Sequence, residues 1–169
     1  MTSYMSTQDT PAGPFTLVVD DDGAVLASGW TADVAELLPL IHRDLRAEPA
    51  RRAELGAATK AVAAYHQGDL TAPDAIEVRQ RTGGPFLTAA WKLLRDVMPG
   101  HPISYTELAT RTGNPAANRA AAQACARNAA ALFVPCHRIV RTDGSLGGFR
   151  YGINVKQWLL THEAATHTT

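Results

Sequence analysis

Residues 104–127 read SYTELATRTGNPAANRAAAQACAR, and two punctuation points in this stretch decide the fold of the second half of the chain. Ser104-Tyr105-Thr106-Glu107 is a capping box, in which a hydroxyl and a carboxylate three residues apart satisfy each other's exposed backbone donors at a helix start. A short helix is expected over residues 105–112. Gly113-Asn114-Pro115 breaks it and opens the next, with Asn114 as N-cap and Pro115 at the first helical position. That second helix is expected to run to about Arg127. Two short helices across a tight glycine turn form a helix-turn-helix, although a plain helical hairpin has the same pattern. The second helix is mostly alanine, with Arg119 and Arg127 as its charges. Such a small-residue surface lets another backbone approach closely, which suits a groove.

Working outward, residues 85–97 place Phe86, Ala90, Leu93, Leu94 and Val97 near helical spacing and are stopped by Pro99-Gly100. Gly83-Gly84-Pro85 is the best domain boundary. Before it, residues 14–19 and 24–30 flank Asp20-Asp21-Asp22-Gly23 and read as a β-hairpin. Helices are expected over 33–45 and 52–66, the second ended by Gly68-Asp69, and a further strand over 74–79. The fold class is α/β (α+β): a small N-terminal β-sheet and helix domain, residues 1–83, packed on a helical C-terminal domain, residues 84–163, that contains the helix-turn-helix. The short tail, residues 164–169, is expected to be disordered.

Composition is that of an ordinary globular protein, with 46% hydrophobic and 19% charged residues. No run approaches a membrane span, and the polar N-terminus lacks the apolar stretch of a signal peptide, so a cytoplasmic protein without a membrane partner is expected. In that compartment Cys125 and Cys136 are not expected to pair. The net charge of zero hides an asymmetry. Residues 1–85 carry seven Lys/Arg against twelve Asp/Glu, whereas residues 86–160 carry nine Lys/Arg against three acids. An excess of six positive charges in the second segment supports an anionic partner, though weakly on its own.

The chemistry-bearing stretch is Pro135-Cys136-His137-Arg138-Ile139, entered from a run, residues 132–134, that reads as a short buried strand. Cysteine beside histidine, with arginines at 138 and 141, is a setting that favours thiolate, whereas most cysteines are inert small hydrophobes. Neighbouring side chains on a strand point to opposite faces. His137 therefore serves Cys136 only if the chain turns at Pro135, or through a bridging water.

From these residues the chain resembles the O6-alkylguanine-DNA alkyltransferases (methylated-DNA–protein-cysteine methyltransferases). The resemblance covers roughly residues 84–163: Trp91, Ser104-Tyr105, Gly113-Asn114-Pro115, Arg119-Ala120, Asn128, the cysteine motif, Asp143-Gly144, Gly147-Gly148-Phe149, Lys156 to Leu160, and His162-Glu163. The N-terminal half resembles the family only in outline.

The resemblance implies single-turnover, stoichiometric repair by direct reversal, in which the alkyl group on O6 of guanine moves irreversibly to Cys136 after base flipping. Activity on O4-alkylthymine is left open. It implies that Cys136 is the nucleophile, His137 a base acting through water, and Glu163 the group that orients His137. Tyr105 is implied to press on the target phosphate and hydrogen-bond the extruded guanine, and Asn128 to brace the turn between recognition helix and active-site segment. Arg119 is implied to fill the vacated stack, with Tyr105, Ala120, Ala121, Arg127 and Arg138 beside it at the DNA. Cys136, Ile139, Phe149, Arg150 and Tyr151 are implied to line the base pocket with Tyr105. The implied partner is alkylated double-stranded DNA, met through the minor groove by a monomer, with cooperative binding on DNA left open. No cofactor and no metal are implied, and residues 1–124, which contain no cysteine, exclude the thiolate zinc site that some members hold there.

Three positions depart from the family pattern. Ala121 stands where valine is usual, Ala129 where proline is usual, and Tyr151 where many members have a small residue. The first two weaken packing or turn rigidity slightly, and the third narrows the pocket entrance. The rival readings are an alkyltransferase-like damage sensor, a cysteine hydrolase and a helix-turn-helix regulator. Cys136 argues against the sensor, since those proteins carry another residue there. The hydrolase lacks an oxyanion-hole motif, and the regulator lacks room for an added DNA-binding domain.

Overall fold

The computed structural model describes residues 2–81 and 84–167, divided into two compact units: residues 1–81 with 129–133, and residues 82–128 with 134–169. Thr82 and Gly83, at the expected boundary, lie outside the described residues, as do Thr168 and Thr169 of the expected tail.

In the first unit the strands β1 (Ser3–Thr10), β2 (Gly13–Asp20), β3 (Val25–Gly29) and β4 (Pro49–Arg51) form a sheet of order β3-β2-β1-β4. The β2–β3 hairpin is the one expected from sequence, and its turn is built by Asp20. The Asp20 carboxylate accepts from the Asp22 and Ala24 amides at 2.9 and 3.1 Å, and Gly23 supplies the positive φ of +82°. The sheet starts earlier than the sequence suggested. Residues 3–10, read as a polar terminus, pair antiparallel with all of β2, because Ser3, Met5 and Ser6 are buried against neighbours despite two hydroxyls.

Helix α1 (Ala57–His66) buries Ala58, Ala61, Val62 and Tyr65, a stripe at helical spacing. It begins five residues later than expected, since residues 49–51 pair parallel with β1 and Gly56, at φ +67°, turns the chain before the helix. Over residues 33–45 three 3-10 turns replace the expected helix. Pro39 has no N–H to give and disfavours helical backbone at Leu38. Residues 72–75 form another 3-10 turn. Only the following residues are strand-like, with Val78 bridging Val25.

Residues 129–133, expected inside the C-terminal domain, join the first unit instead. The reason is Ser28 on β3. Its amide donates to the Ala129 carbonyl at 2.8 Å, its carbonyl accepts from the Ala131 amide at 3.2 Å, and its hydroxyl donates to the Ala131 carbonyl at 2.7 Å. The expected strand over residues 132–134 is a turn, with Leu132 held at φ +79°, a conformation that costs a branched side chain energy.

In the second unit α2 (Pro85–Leu94), α3 (Tyr105–Arg111) and α4 (Asn118–Ala126) pack together, and the indole N–H of Trp91 donates to the Ala124 carbonyl at 2.9 Å. Helix α2 ends three residues short of Val97, which sits in a following turn. The Ser104 hydroxyl caps α3 by accepting from the Glu107 amide at 3.0 Å. The Glu107 carboxylate faces Arg111 at 3.4 Å. At the far end of α3 the Asn114 and Gly113 amides close back on the Ala109 and Thr110 carbonyls, with Gly113 at φ +95°, a Schellman stop. Helix α4 starts at Asn118, three residues later than expected: Asn114 accepts from the Ala116 amide at 3.1 Å as an N-cap does, but the Ala117 amide closes a single turn on the Asn114 carbonyl and the helix follows it.

A two-stranded parallel pair, β5 (Ile103–Ser104) with β6 (Ile139–Val140), leads to α5 (Ile153–His167). Residues 164–167, expected to be disordered, are the last turn of that helix. Among the described residues no helix is long and apolar enough to cross a membrane.

The Ser28 clamp generates a stability prediction. Ser28 is fully buried, so Ser28→Ala withdraws a donor from a buried carbonyl and should cost about 1–3 kcal/mol. Urea unfolding of the two proteins measures this, and an unchanged midpoint would mean the hydroxyl contributes nothing.

Candidate active site

The expected turn at Pro135 is present. Residues 136–138 form one turn of 3-10 helix, with the Arg138 amide donating to the Pro135 carbonyl at 3.0 Å. Successive side chains on such a turn are separated by about 120°, not the opposition of a strand, so three chemically different groups leave one short turn in three directions. All three are buried: Cys136 is 8% exposed, His137 0% and Arg138 3%.

Helix α5 supplies the partners. Lys156, Leu159 and Glu163 fall on one face at spacings of three and seven, and each is essentially without exposed surface. The Nε2 of His137 lies 2.6 Å from Glu163 Oε2. Arg138 clasps the same carboxylate through Nε at 2.9 Å and Nη2 at 3.1 Å, and its Nη1 donates to the Val97 carbonyl at 2.7 Å. The Lys156 ammonium donates to the Ile139 carbonyl at 2.7 Å. Asn128, the expected brace, donates from Nδ2 to the Val134 carbonyl at 2.7 Å, and its side chain also hydrogen-bonds Cys136.

The electrostatics follow from this packing. Burial alone would raise the Glu163 pKa, but the His137 hydrogen bond and the charge and hydrogen bonds of Arg138 outweigh it and hold the carboxyl well below the usual range. Burial pushes the His137 pKa down, against the pull of Glu163. The ring is therefore neutral, donating Nε2–H to a carboxylate that Arg138 keeps ionised, and Nδ1 is its basic nitrogen. Burial pushes the Cys136 thiol up, opposed by the Asn128 hydrogen bond and by the charges of Lys156 and Arg150. The thiolate-favouring role expected for Arg138 is absent, because its guanidinium is spent on Glu163.

Tyr105 is half-buried, and burial, reinforced by the two cysteines, pushes its hydroxyl up to about 12, so it stays a proton donor. Burial likewise raises the Cys125 thiol on α4.

The remaining expected residues divide cleanly. Arg119 is exposed on α4 and Arg127 is exposed just past its end, while Ala120 is half-buried. Ala121 is fully buried and Arg138 nearly so, so neither offers a side chain to DNA. The Arg138 guanidinium is instead taken up by Glu163 and the Val97 carbonyl. Ile139 is buried. Phe149 and Tyr151 meet edge to face at 5.5 Å, and Arg150 between them is exposed. Sequence reasoning passed over Lys156 and gave Arg138 another task. The signal for both was available in the seven-residue spacing from Lys156 to Glu163, which puts a cation and an anion on one buried helix face. Among the described residues no group of three or more His, Cys, Asp or Glu side chains could hold a metal ion.

The buried cluster fixes how stability responds to substitution and acid. Arg138→Met strands the Glu163 charge and should cost about 3–5 kcal/mol. The folded pKa of Glu163 is depressed, so its contribution is complete above its unfolded value of about 4.3 and is lost as pH falls from there toward the folded value. His137 is also depressed and adds a loss beginning below about pH 6.5. Glu163→Gln should lower stability at neutral pH and flatten the acid limb below about pH 4.3. Denaturant unfolding across a pH series checks both, and an acid limb as steep as that of the parent protein would contradict the assignment.

Comparison with known proteins agrees with the resemblance. Residues 85–165 match the family described as 6-O-methylguanine DNA methyltransferase, DNA binding domain. A methylated-DNA–protein-cysteine methyltransferase of Salmonella typhimurium is 34% identical over 158 residues, which is 91% of each chain. The crystal structure of Mycobacterium tuberculosis O6-methylguanine methyltransferase superposes with a TM-score of 0.81 at 30% identity, covering 98% of this chain and 94% of that one. A second structure of the same mycobacterial protein, in complex with DNA, gives the same score and identity over 96% and 94%. With a buried cysteine on a turn beside a His–Glu pair, and with relatives aligned over nearly its whole length, the chain belongs to the methylated-DNA–protein-cysteine methyltransferase family.

Proposed function

We propose that this chain repairs DNA by direct reversal, moving the alkyl group from O6 of guanine in duplex DNA onto Cys136, once per molecule. The observation that carries the reading is the buried Cys136 thiol one residue from a neutral histidine whose Nε2 is locked to Glu163 at 2.6 Å. In the proposed step His137 Nδ1 takes the thiol proton through a water. The sulfur attacks the alkyl carbon in line, the S–C bond forms, the C–O bond breaks, and the electron pair leaves with the purine. Tyr105, a protonated hydroxyl, donates to the departing guanine and offsets its charge. The product thioether has no good leaving group, so the molecule is consumed without a cofactor. The same displacement on O4-alkylthymine is chemically equivalent and is read by the same assay.

The helix-turn-helix and the positive balance of residues 86–160 support a phosphate-facing role for the second unit, and the first unit is assigned a structural one. The base is reached by flipping through the minor groove. Arg119, exposed near the start of α4, fills the gap, with Ala120 and Arg127 beside it.

Intact-mass measurement after incubation with a duplex holding one O6-methylguanine tests the reading. One methyl gain per molecule, on Cys136, is expected, and it should vanish in Cys136→Ser and persist in Cys125→Ala. Several guanines repaired per molecule, or modification of Cys125, would contradict it. In the same assay Arg119→Ala should slow transfer from duplex strongly, since extrusion of a paired base costs on the order of a few kcal/mol. Its reaction with the free base should change little, and equal losses on both substrates would remove Arg119 from the flipping role.

A further inference from the structure

Residues 147–152, between β6 and α5, are fastened at three points to the elements that carry the site. At the first, a Cβ added to Gly147 would stand 3.3 Å from the Tyr105 hydroxyl and 3.6 Å from the Arg141 side chain. Gly147 itself is at φ +75°, so the loop backbone lies directly against Tyr105. At the second, the Gly148 carbonyl faces the Lys156 ammonium at 3.4 Å. At the third, Nη2 of Arg150 donates to the Ala126 carbonyl at 2.8 Å.

Ala126 is the last residue of α4. The final carbonyls of a helix have no partner within it and carry the negative end of its dipole, so a guanidinium is the side chain best suited to cap them. The donor to the Ala126 carbonyl does not come from α4 or from the residues just after it, whose amides serve Gln123 and Cys125. It comes from a loop twenty-four residues downstream, flanked by the Phe149 and Tyr151 rings. Arg150 is also among the charges that draw the Cys136 thiol pKa down, which places it within electrostatic reach of the nucleophile.

We infer that Arg150 is a positioning residue of the base pocket, whose guanidinium pins the loop over residues 147–152 to the C-terminal carbonyl of the recognition helix and so fixes the distance between the pocket wall and Cys136. The inference rests on the alkyl-transfer reading above. Its mechanical consequence is that the pocket wall is referenced to α4, the helix proposed to meet DNA, as well as to Lys156 of α5, the helix into which the loop runs. Without the cap, the loop loses its tie to α4 while the contacts at Gly147 and Gly148 remain.

The experiment uses the full chain and free O6-benzylguanine, whose benzylic carbon is open to displacement and which needs no extrusion from a duplex. The saturation constant and the limiting rate of Cys136 alkylation are measured separately by intact mass. Arg150→Ala should raise the saturation constant about three- to tenfold, the worth of one hydrogen bond, with the limiting rate within about twofold. Arg150→Lys, which restores a cationic donor, should recover most of the loss. A merely structural Arg150 would lower the melting temperature and leave the saturation constant alone, so an unchanged constant in Arg150→Ala overturns the inference, as does a lysine variant as weak as the alanine one. Amide hydrogen exchange over residues 147–152 reads the same brace without chemistry. It should quicken by a similar factor in Arg150→Ala, and equal exchange in the two proteins overturns the inference whether or not transfer occurs. Failure of the parent protein to gain mass would instead remove the transfer reading.

Discussion

The carboxylate of Glu163 has no exposed surface and is ionised, a state that is tolerable inside a protein only if hydrogen bonds replace its water. Three donors do this. His137 offers Nε2–H, and Arg138 offers two N–H groups in the fork geometry that matches a carboxylate. The donors come from adjacent residues on one short turn and the acceptor from the last turns of α5. The ion pair therefore sets the distance between the catalytic turn and that helix. Much else follows from it: the tautomer of His137, the burial of Arg138, and the length of α5, which must stay helical past residue 163 to hold the carboxylate in place.

A buried thiol is a poor nucleophile until it loses its proton, and burial here raises the Cys136 pKa. The charges that oppose burial sit at different places. Lys156 is fixed under Ile139 by its hydrogen bond, and Asn128 spans the Val134 carbonyl and the thiol. Such an arrangement keeps the sulfur protonated at rest, which under the proposed function protects a residue that acts once. The proton leaves only when the neighbouring base can take it. On that reading, the selectivity of a protein consumed by its own reaction benefits from a nucleophile that is silent without substrate.

The sequence made some of this legible and hid the rest, for physical reasons. The capping serine, the glycine stop at 113 and the Asp-Gly hairpin are local devices, complete within four or five residues, and they appear where the residues placed them. The catalytic turn was legible as a requirement: two adjacent side chains cannot cooperate on a strand. What local reading missed depended on distant pairing. The N-terminal strand β1 is polar by composition and exists because β2 and β4 flank it. The segment before the motif reads as a strand, yet Ser28, about a hundred residues upstream, holds Ala129 and Ala131 just ahead of it, and the chain turns left-handed at Leu132. Pro39 divides an apparently helical run into 3-10 turns. Arg138, next to a cysteine and a histidine, looks like a phosphate contact until the carboxylate of Glu163 claims it.

The account stands on where one proton resides. Its most direct test is nitrogen NMR of the His137 ring in the resting protein at neutral pH, with the other histidines assigned by substitution. A neutral imidazole is expected, with its proton on Nε2, strongly deshielded by the short contact to Glu163, and an unprotonated Nδ1 that remains so on mild acidification. A proton on Nδ1, or a doubly protonated imidazolium at neutral pH, would leave Cys136 without its base and contradict it.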